Sequence, residues 1–356
     1  MISNQYRKLI KSFGSYSISN ALSQFLMIAY ALLLANYLGP GLFGLYTGHL
    51  SIVLLFSFVI NWGFDTYFLF RSGSFQSTSE VNLFNGKIVF TKIILGLFWI
   101  AGLTIIAYSF DPNFFRIDLL LLISIDTLLE SVFLTQLTAL NIKKETQALS
   151  LLLFFSRVAR LAGGFALVFF GISSIANFYI IRLIATLFFT LYSIVVSGMH
   201  LSIFKFIIVK KIWRSSVSYG LSETMALIYA QVDISLLAIL LGEVETGLYT
   251  TSSRLIIALF SIPNAGYALV IPRLRDRYLS NKQQFVKYYF KIQIGFLILG
   301  LALFGVVFVS GKWLVSLILI EDYSISGELL QVLSVVLLLK SLNFGFGALL
   351  VSLGWQ

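Results

Sequence analysis

The chain alternates long apolar runs with short polar or basic connections. Runs of about 20 or more apolar residues, the length that crosses a ~30 Å hydrocarbon layer, begin near Ser12, Thr47, Gly86, Ile117, Thr146, Ser174, Ser215, Thr246, Phe285 and Ser324. The pattern predicts an all-α polytopic membrane protein of ten helices. One stretch recurs. Leu33–Thr47, LLANYLGPGLFGLYT, shifted by 203 positions falls on Leu236–Thr250, LLAILLGEVETGLYT, with nine of fifteen residues identical. Gly39 pairs with Gly242, Gly44 with Gly247 and Tyr46 with Tyr249, and the same shift aligns Asn61 with Asn264 and Gly63 with Gly266. Each copy joins two apolar runs, so the repeated unit reads as two membrane helices connected by a glycine turn. Self-similarity of this kind in a polytopic chain is a signature of transporters.

Six helices separate the copies, so both enter the membrane in the same direction. The halves are then expected to be related by a pseudo-two-fold axis along the membrane normal. Residues 1–197 read as a six-helix lobe, 198–214 as a linker helix lying in the inner interface, and 215–356 as a four-helix lobe. The last run corresponds to the fourth helix of the first lobe and the chain stops at Gln356, which implies either a truncated product or a real absence of the last two helices. The first run follows Arg7, Lys8 and Lys11 and is too long for a signal-peptide core, so it reads as an uncleaved helix.

Basic residues collect on one side. With the N-terminus in the cytoplasm, 18 of the 25 Lys and Arg lie on the inner side, Lys87 and Lys92 counted among them, and only Arg116 and Lys312 lie outside. That asymmetry sets the orientation. The linker mixes Phe204, Phe206, Ile207, Ile208 and Trp213 with Lys205, Lys210, Lys211 and Arg214, the composition of an interfacial helix touching anionic lipid. The outer connections are short, so no external catalytic domain is expected. His49 and His200 fall at the ends of apolar runs and read as surface residues.

Composition agrees. At 58% hydrophobic and 11% charged residues, with mean hydropathy +0.93, there is too little polar surface to cover a soluble globule. The net charge of +10 would suggest nucleic acid in a soluble protein, but topology explains these cations and no nucleic-acid partner is expected. The absence of cysteine excludes disulfides and thiolate metal sites.

Ten ionisable residues lie inside the runs: Asp65, Asp126, Glu130, Glu223 and Asp233, against Arg157, Arg160, Arg182, Arg254 and Lys340. Each costs ~2.5–3.5 kcal/mol at the bilayer centre, so all ten must face one another or water. Asp126 and Glu130 are four apart and Arg157 and Arg160 three apart, which places each pair on one helix face. Two readings fit: five internal ion pairs, or a hydrated central cavity with some pairs in its wall, and the second is preferred here. A guanidinium binds phosphate bidentately and stays charged, so the arginines suit a phosphate-bearing substrate. Gly39, Gly44, Gly242, Gly247 and Pro263 read as turn or hinge positions, with a bend where Asn61 and Asn264 precede Gly63 and Gly266.

No GxxxxGK[ST] loop, HExxH, metal-ligand cluster or nucleophile elbow is present, so no enzyme, metal or organic cofactor is expected. Protonation or counter-ion binding at Asp65, Asp126, Glu130 or Asp233 could couple transport to a proton or sodium gradient.

The motifs LxxxLGPxxFGLY at Leu34–Tyr46, GLYTTSSRL at Gly247–Leu255 and IPxxxxxxxIPRL at Ile262–Leu274 resemble polysaccharide flippases of the Wzx type. These belong to the multidrug/oligosaccharidyl-lipid/polysaccharide (MOP) exporter superfamily, together with lipid II flippases and multidrug and toxin extruders. The resemblance implies two lobes in a V around a cationic cavity. It also implies alternating access that carries an undecaprenyl-diphosphate-linked oligosaccharide, such as an O-antigen or capsule repeat unit, to the outer leaflet of a bacterial cytoplasmic membrane. Partners would include membrane lipids and the polysaccharide polymerase and chain-length machinery. Arg254 matches a recurrent basic residue of the family's eighth helix and is the first choice for the diphosphate contact. A multidrug extruder and a polytopic lipid-dependent polymerase or glycosyltransferase are the alternatives. The first lacks a first-helix carboxylate here, and the second lacks a carboxylate in the first outer turn and any outer loop longer than about 15 residues.

Overall fold

The computed structural model describes residues 2–110, 116–200, 206–280 and 282–353, with side chains of the first helix from Ser19 onward. Parts of two expected features, the linker at 201–205 and the outer segment at 111–115, lie outside the described residues, as do the side chains of Arg7, Lys8, Lys11, Ser15 and Ser17. The described elements are helical: α1 (Ile2–Leu55), α2 (Phe58–Asn61), α3 (Phe64–Phe70), α4 (Thr78–Phe110), α5 (Ile117–Ile142), α6 (Thr146–Phe169), α7 (Ile175–Ser197), α8 (Ile207–Ser215), α9 (Val217–Leu240), α10 (Glu243–Leu259), α11 (Ser261–Ser280), α12 (Lys282–Ile318) and α13 (Ser324–Ser352).

Among the described residues, eight helical stretches are long and apolar enough to cross a membrane. Breaking α1 at Gly39, and adding the equally long α5 with its Asp118, Asp126 and Glu130, makes the ten that the hydrophobic pattern predicts. Side chains such as Phe169, Val195 and Val309, at 77%, 77% and 82% exposure, stand outward where lipid would solvate them.

The sequence repeat becomes a backbone repeat. Gly39 has φ 71° and ψ 171°, and its counterpart Gly242 has φ 104°, both in territory that a Cβ disfavours. Pro40 follows as the first residue of the next helical segment, where its missing N–H costs nothing. Gly44 and Gly247 are buried within helices. The second apolar run is interrupted. After Ser57 it continues as α2, then turns at Trp62 and Gly63, the latter at φ 61°, into α3. A Cβ on Gly63 would stand 2.4 Å from the Tyr219 carbonyl carbon, and one on Gly220 2.6 Å from the Trp62 ring, so the break and α9 interlock through reciprocal glycines. The eighth run also breaks, between Leu259 and Ser261, with Pro263 in the first turn of α11.

The chain forms two compact units, one of residues 1–33 and 41–246, the other of residues 34–40 and 247–356. In the first, Phe64 and Phe68 of α3 pack with Val81, Phe84 and Ile88 of α4, Ala139 of α5 and Ile212 of α8. Helix α8 is amphipathic: Val209 and Ile212 are buried while Lys210, Lys211 and Arg214 are exposed. In the second unit α12 and α13 approach closely through small residues. A Cβ on Gly300 would lie 2.9 Å from Ser341 Cβ, and one on Gly327 2.9 Å from Lys312 Cα. The Asn36 amide closes this unit, donating to Ile318 O at 2.8 Å and accepting from the Ile320 N–H at 3.0 Å.

Helix α4 begins at Thr78, eight residues before the expected start near Gly86, and holds both Lys87 and Lys92. Two expectations are corrected. The sequence places an outer connection at Gly311 to Ser324, but helix α12 runs to Ile318, so Gly311 and Lys312 are helical and the connection to α13 starts at Leu319. His49 is 1% exposed, not a surface residue, with Nδ1 3.0 Å from Leu45 O, whereas His200 is exposed as expected. In each case a polar residue at the edge of an apolar run marks no boundary, because the backbone carries the helix past it.

Candidate functional site

Five of the predicted intramembrane charges come together in the first unit. Asp126 and Glu130 share a face of α5, Arg157 and Arg160 a face of α6, and Arg182 projects from α7. Glu130 accepts from Arg157 Nη1 and Arg160 Nη2, each at 2.9 Å, and lies 3.5 Å from Arg182 Nη2. Arg182 Nε stands 2.7 Å from Asp126 Oδ2. Thr186, one turn after Arg182, donates to Asp126 Oδ1 at 2.5 Å and accepts from Arg160 Nη2 at 2.7 Å. The side chains are nearly dry, at 8%, 10% and 11% exposure for the arginines and 1% and 18% for Asp126 and Glu130.

Three guanidiniums meet two carboxylates, so the cluster holds a net charge of +1. The buried Nε–H groups of Arg157 and Arg160 have no hydrogen-bond partner among the described residues. Helix packing at the cluster is tight. A Cβ on Gly164 would reach within 2.6 Å of the Tyr30 ring, and Tyr179 stacks on Tyr46 at 4.4 Å while donating to the Tyr46 carbonyl at 2.5 Å.

A second polar group forms where α3, α4 and α5 meet. Lys92, with a side chain 0% exposed, donates to Asp65 Oδ2 at 2.7 Å and to Ser131 O at 3.1 Å. Thr135 donates to the other Asp65 oxygen, and Ser131 to Asn61 Oδ1, both at 2.7 Å. Glu223 of α9 faces this group, within electrostatic reach of Asp65 and Lys92. Sequence reasoning missed Lys92. Its signal is a lysine inside KIVFTKII, a run that the helix needs in order to reach full length.

A third line of contacts joins α4, α5 and α7. Gln136 Oε1 accepts from Asn85 at 2.7 Å and from Ser197 at 2.6 Å, and Lys143 donates to the Ser197 carbonyl. Asp233 is half-buried on α9, its Oδ1 accepting from the Ile234 N–H at 2.8 Å. In the second unit Arg254 is half-buried on α10, and Lys340 of α13 has its ammonium 5.9 and 6.0 Å from the ring centroids of Phe260 and Phe344. The structure thus collects Asp126, Glu130, Arg157, Arg160 and Arg182 in one group and Asp65 and Glu223, with Lys92, in another.

A family described as polysaccharide biosynthesis protein matches residues 9–274. Among solved structures, a multidrug resistance MATE family transporter of the MOP superfamily, in an inward-facing conformation, is similar with a TM-score of 0.70 at 14% identity, covering 94% of this chain and 81% of that one. The lipid II flippase MurJ, in an inward closed conformation, is similar with a TM-score of 0.71 at 15% identity, covering 95% of this chain and 76% of that one. A MOP superfamily transporter from Pyrococcus furiosus gives 0.59 at 14% identity, with 97% and 83% covered. No curated protein matches the chain by sequence. At these identities the likeness to solved structures is one of fold, and the fold is that of MOP superfamily transporters.

Proposed function

This chain belongs to the polysaccharide biosynthesis protein family, and on that premise we propose that it is a carrier for a lipid-linked, phosphate-bearing saccharide. The cargo is an undecaprenyl-diphosphate-linked oligosaccharide moved from the inner to the outer leaflet of a bacterial cytoplasmic membrane. The N-terminus is cytoplasmic, and transport proceeds by alternating access. The work is translocation, with no bond made or broken. The polymerase and chain-length machinery would receive the product.

One observation carries this reading: buried among apolar helices, three guanidiniums surround two carboxylates and keep two Nε–H donors unspent. A diphosphate answers both features, because it neutralises the surplus charge and accepts charge-assisted hydrogen bonds. Arg254 and Lys340 are further cationic candidates within the second unit. The Asp65, Lys92 and Glu223 group, two carboxylates around one ammonium, is the candidate coupling site for a proton or sodium ion.

That same group favours a second reading, a multidrug extruder, since a carboxylate surplus suits an organic cation. Reconstituted vesicles decide between them. Outward movement of a lipid-linked diphosphate oligosaccharide that falls at least tenfold in Arg254→Ala and in Arg157→Gln supports the flippase. Extrusion of a cationic dye with no movement of the lipid-linked sugar replaces it with the extruder.

A further inference from the structure

Where α3 turns into α4 the chain builds a second cationic site, separate from the intramembrane cluster. Beyond α3, residues Arg71–Ser74 form a single 3-10 turn and Phe75 leads on in an extended conformation, before α4 starts at Thr78. Helix α8 closes the other side, held by Ile212 in the core shared with Phe68 and Phe84. Between them lies a half-open cavity of about 380 Å³, its wall formed by Tyr67, Arg71, Phe75, Phe84, Lys87 and Lys211. That volume lies within the ~300–1,000 Å³ typical of small-ligand pockets.

The charges in this wall are arranged for an anion. The Arg71 guanidinium carbon stands 5.0 Å from the Phe84 ring centroid and 5.9 Å from those of Tyr67 and Phe75. Cation–π contacts of this kind hold the flat face of the ion and leave its in-plane N–H donors available. Lys87 lies three residues after Phe84 on the same helix, hence on the same side, and Lys211 enters from α8. Among the described residues, no carboxylate lies within ion-pair distance of Arg71, Lys87 or Lys211. Glu80 is the one acidic residue in the wall, and its Oε2 already accepts from the Gln76 N–H at 3.0 Å. The pocket is therefore net +2.

Its surroundings point to an amphiphile. Leu83 of the wall is 40% exposed, and Phe70 and Ile207, at 74% and 70% exposure, adjoin Arg71 and the wall residue Ile208 along the chain, so exposed apolar surface accompanies the cations. We propose that this pocket binds the phosphate headgroup of an anionic membrane lipid: Arg71 grips the phosphate oxygens, Lys87 and Lys211 balance the charge, and the acyl chains lie against the exposed apolar side chains. Because Lys211 belongs to α8 and Arg71 to the turn after α3, the bound headgroup ties the amphipathic helix to the membrane helices.

The test is a lipid titration of the full chain in mild detergent, read as adducts by native mass spectrometry, with phosphatidylglycerol, phosphatidylcholine and inorganic phosphate as probes. Wild type is expected to take up phosphatidylglycerol in preference to phosphatidylcholine. Each cation removed should weaken that binding about fivefold, the equivalent of ~1 kcal/mol per basic residue at a lipid surface. Arg71→Gln/Lys87→Gln should therefore lose about 25-fold. Lys211→Gln, on an exposed side chain whose loss leaves the fold intact, should lose about fivefold. Lys210→Gln, on the same helix but outside the pocket wall, should change binding less than twofold. Unchanged phosphatidylglycerol binding in Arg71→Gln/Lys87→Gln and Lys211→Gln overturns the site. An equal loss in Lys210→Gln overturns it in favour of diffuse surface charge. Inorganic phosphate displacing the lipid at equal concentration overturns the lipid as occupant and leaves a free-anion site.

Discussion

Glu130 is the one carboxylate that contacts all three arginines of the intramembrane cluster, and its loss has a charge consequence that loss of an arginine does not. Glu130→Gln takes the cluster from +1 to +2 in a dry site, whereas Arg157→Gln takes it to zero. Breaking a buried pair by removing one partner costs about 3–5 kcal/mol because the other charge stays buried. Glu130→Gln is therefore expected to lower the thermal unfolding midpoint of the detergent-solubilised protein well below that of Arg157→Gln. Equal midpoints would mean that hydrogen-bond geometry, not charge, holds the cluster. Lys92 and Asp65 permit a cleaner measurement. Lys92→Met and Asp65→Asn should each destabilise alone, and the double variant should recover about 0.5–3 kcal/mol relative to their sum. Additive effects would show that the 2.7 Å contact carries no coupling.

At the scale of elements, the interruptions do the positioning. Gly39 has open space around a would-be Cβ, so its requirement lies in its dihedral angles alone. Gly39→Ala should cost about 1–3 kcal/mol, the range for a residue held in a sparsely populated region. Gly220 has the opposite problem: its backbone is ordinary helix, but a Cβ would overlap the Trp62 ring. Gly220→Ala should destabilise by about 1–3 kcal/mol through overpacking, and adding Trp62→Leu should relieve part of it. A protease-resistance assay that finds no such relief would place the strain elsewhere. The Asn36 clamp on the α12–α13 connection makes a similar point, since one side chain satisfies both a carbonyl and an N–H that a short connection leaves unpaired.

For the whole molecule, topology is the property to test, and the absence of cysteine makes the test simple. Single cysteines at Lys144 and Arg214 should be shielded from a membrane-impermeant maleimide in intact cells and labelled after permeabilisation, while Ser173→Cys should label from outside. The reverse pattern would invert the orientation that the lysines and arginines imply.

Much of this was legible in the chain. Apolar run length determined the number of membrane helices, because a bilayer of given thickness demands a given number of residues per crossing. The 203-residue repeat located two turns at which the backbone takes positive φ. Helical spacing alone put Asp126 beside Glu130 and Arg157 beside Arg160, because residues three and four apart share a face whatever that face meets. What the face meets is a different matter, and tertiary structure decided it. That Glu130 would take three arginines from two other helices, that Lys92 would be drawn from an apparent inner edge to Asp65, and that Arg71 would settle among three rings all depend on contacts between residues remote along the chain or on turns with no period. Periodicity reports the direction of a side chain about its own axis. Only packing chooses the neighbour, since a dry charge takes whichever opposite charge the folded backbone brings within reach.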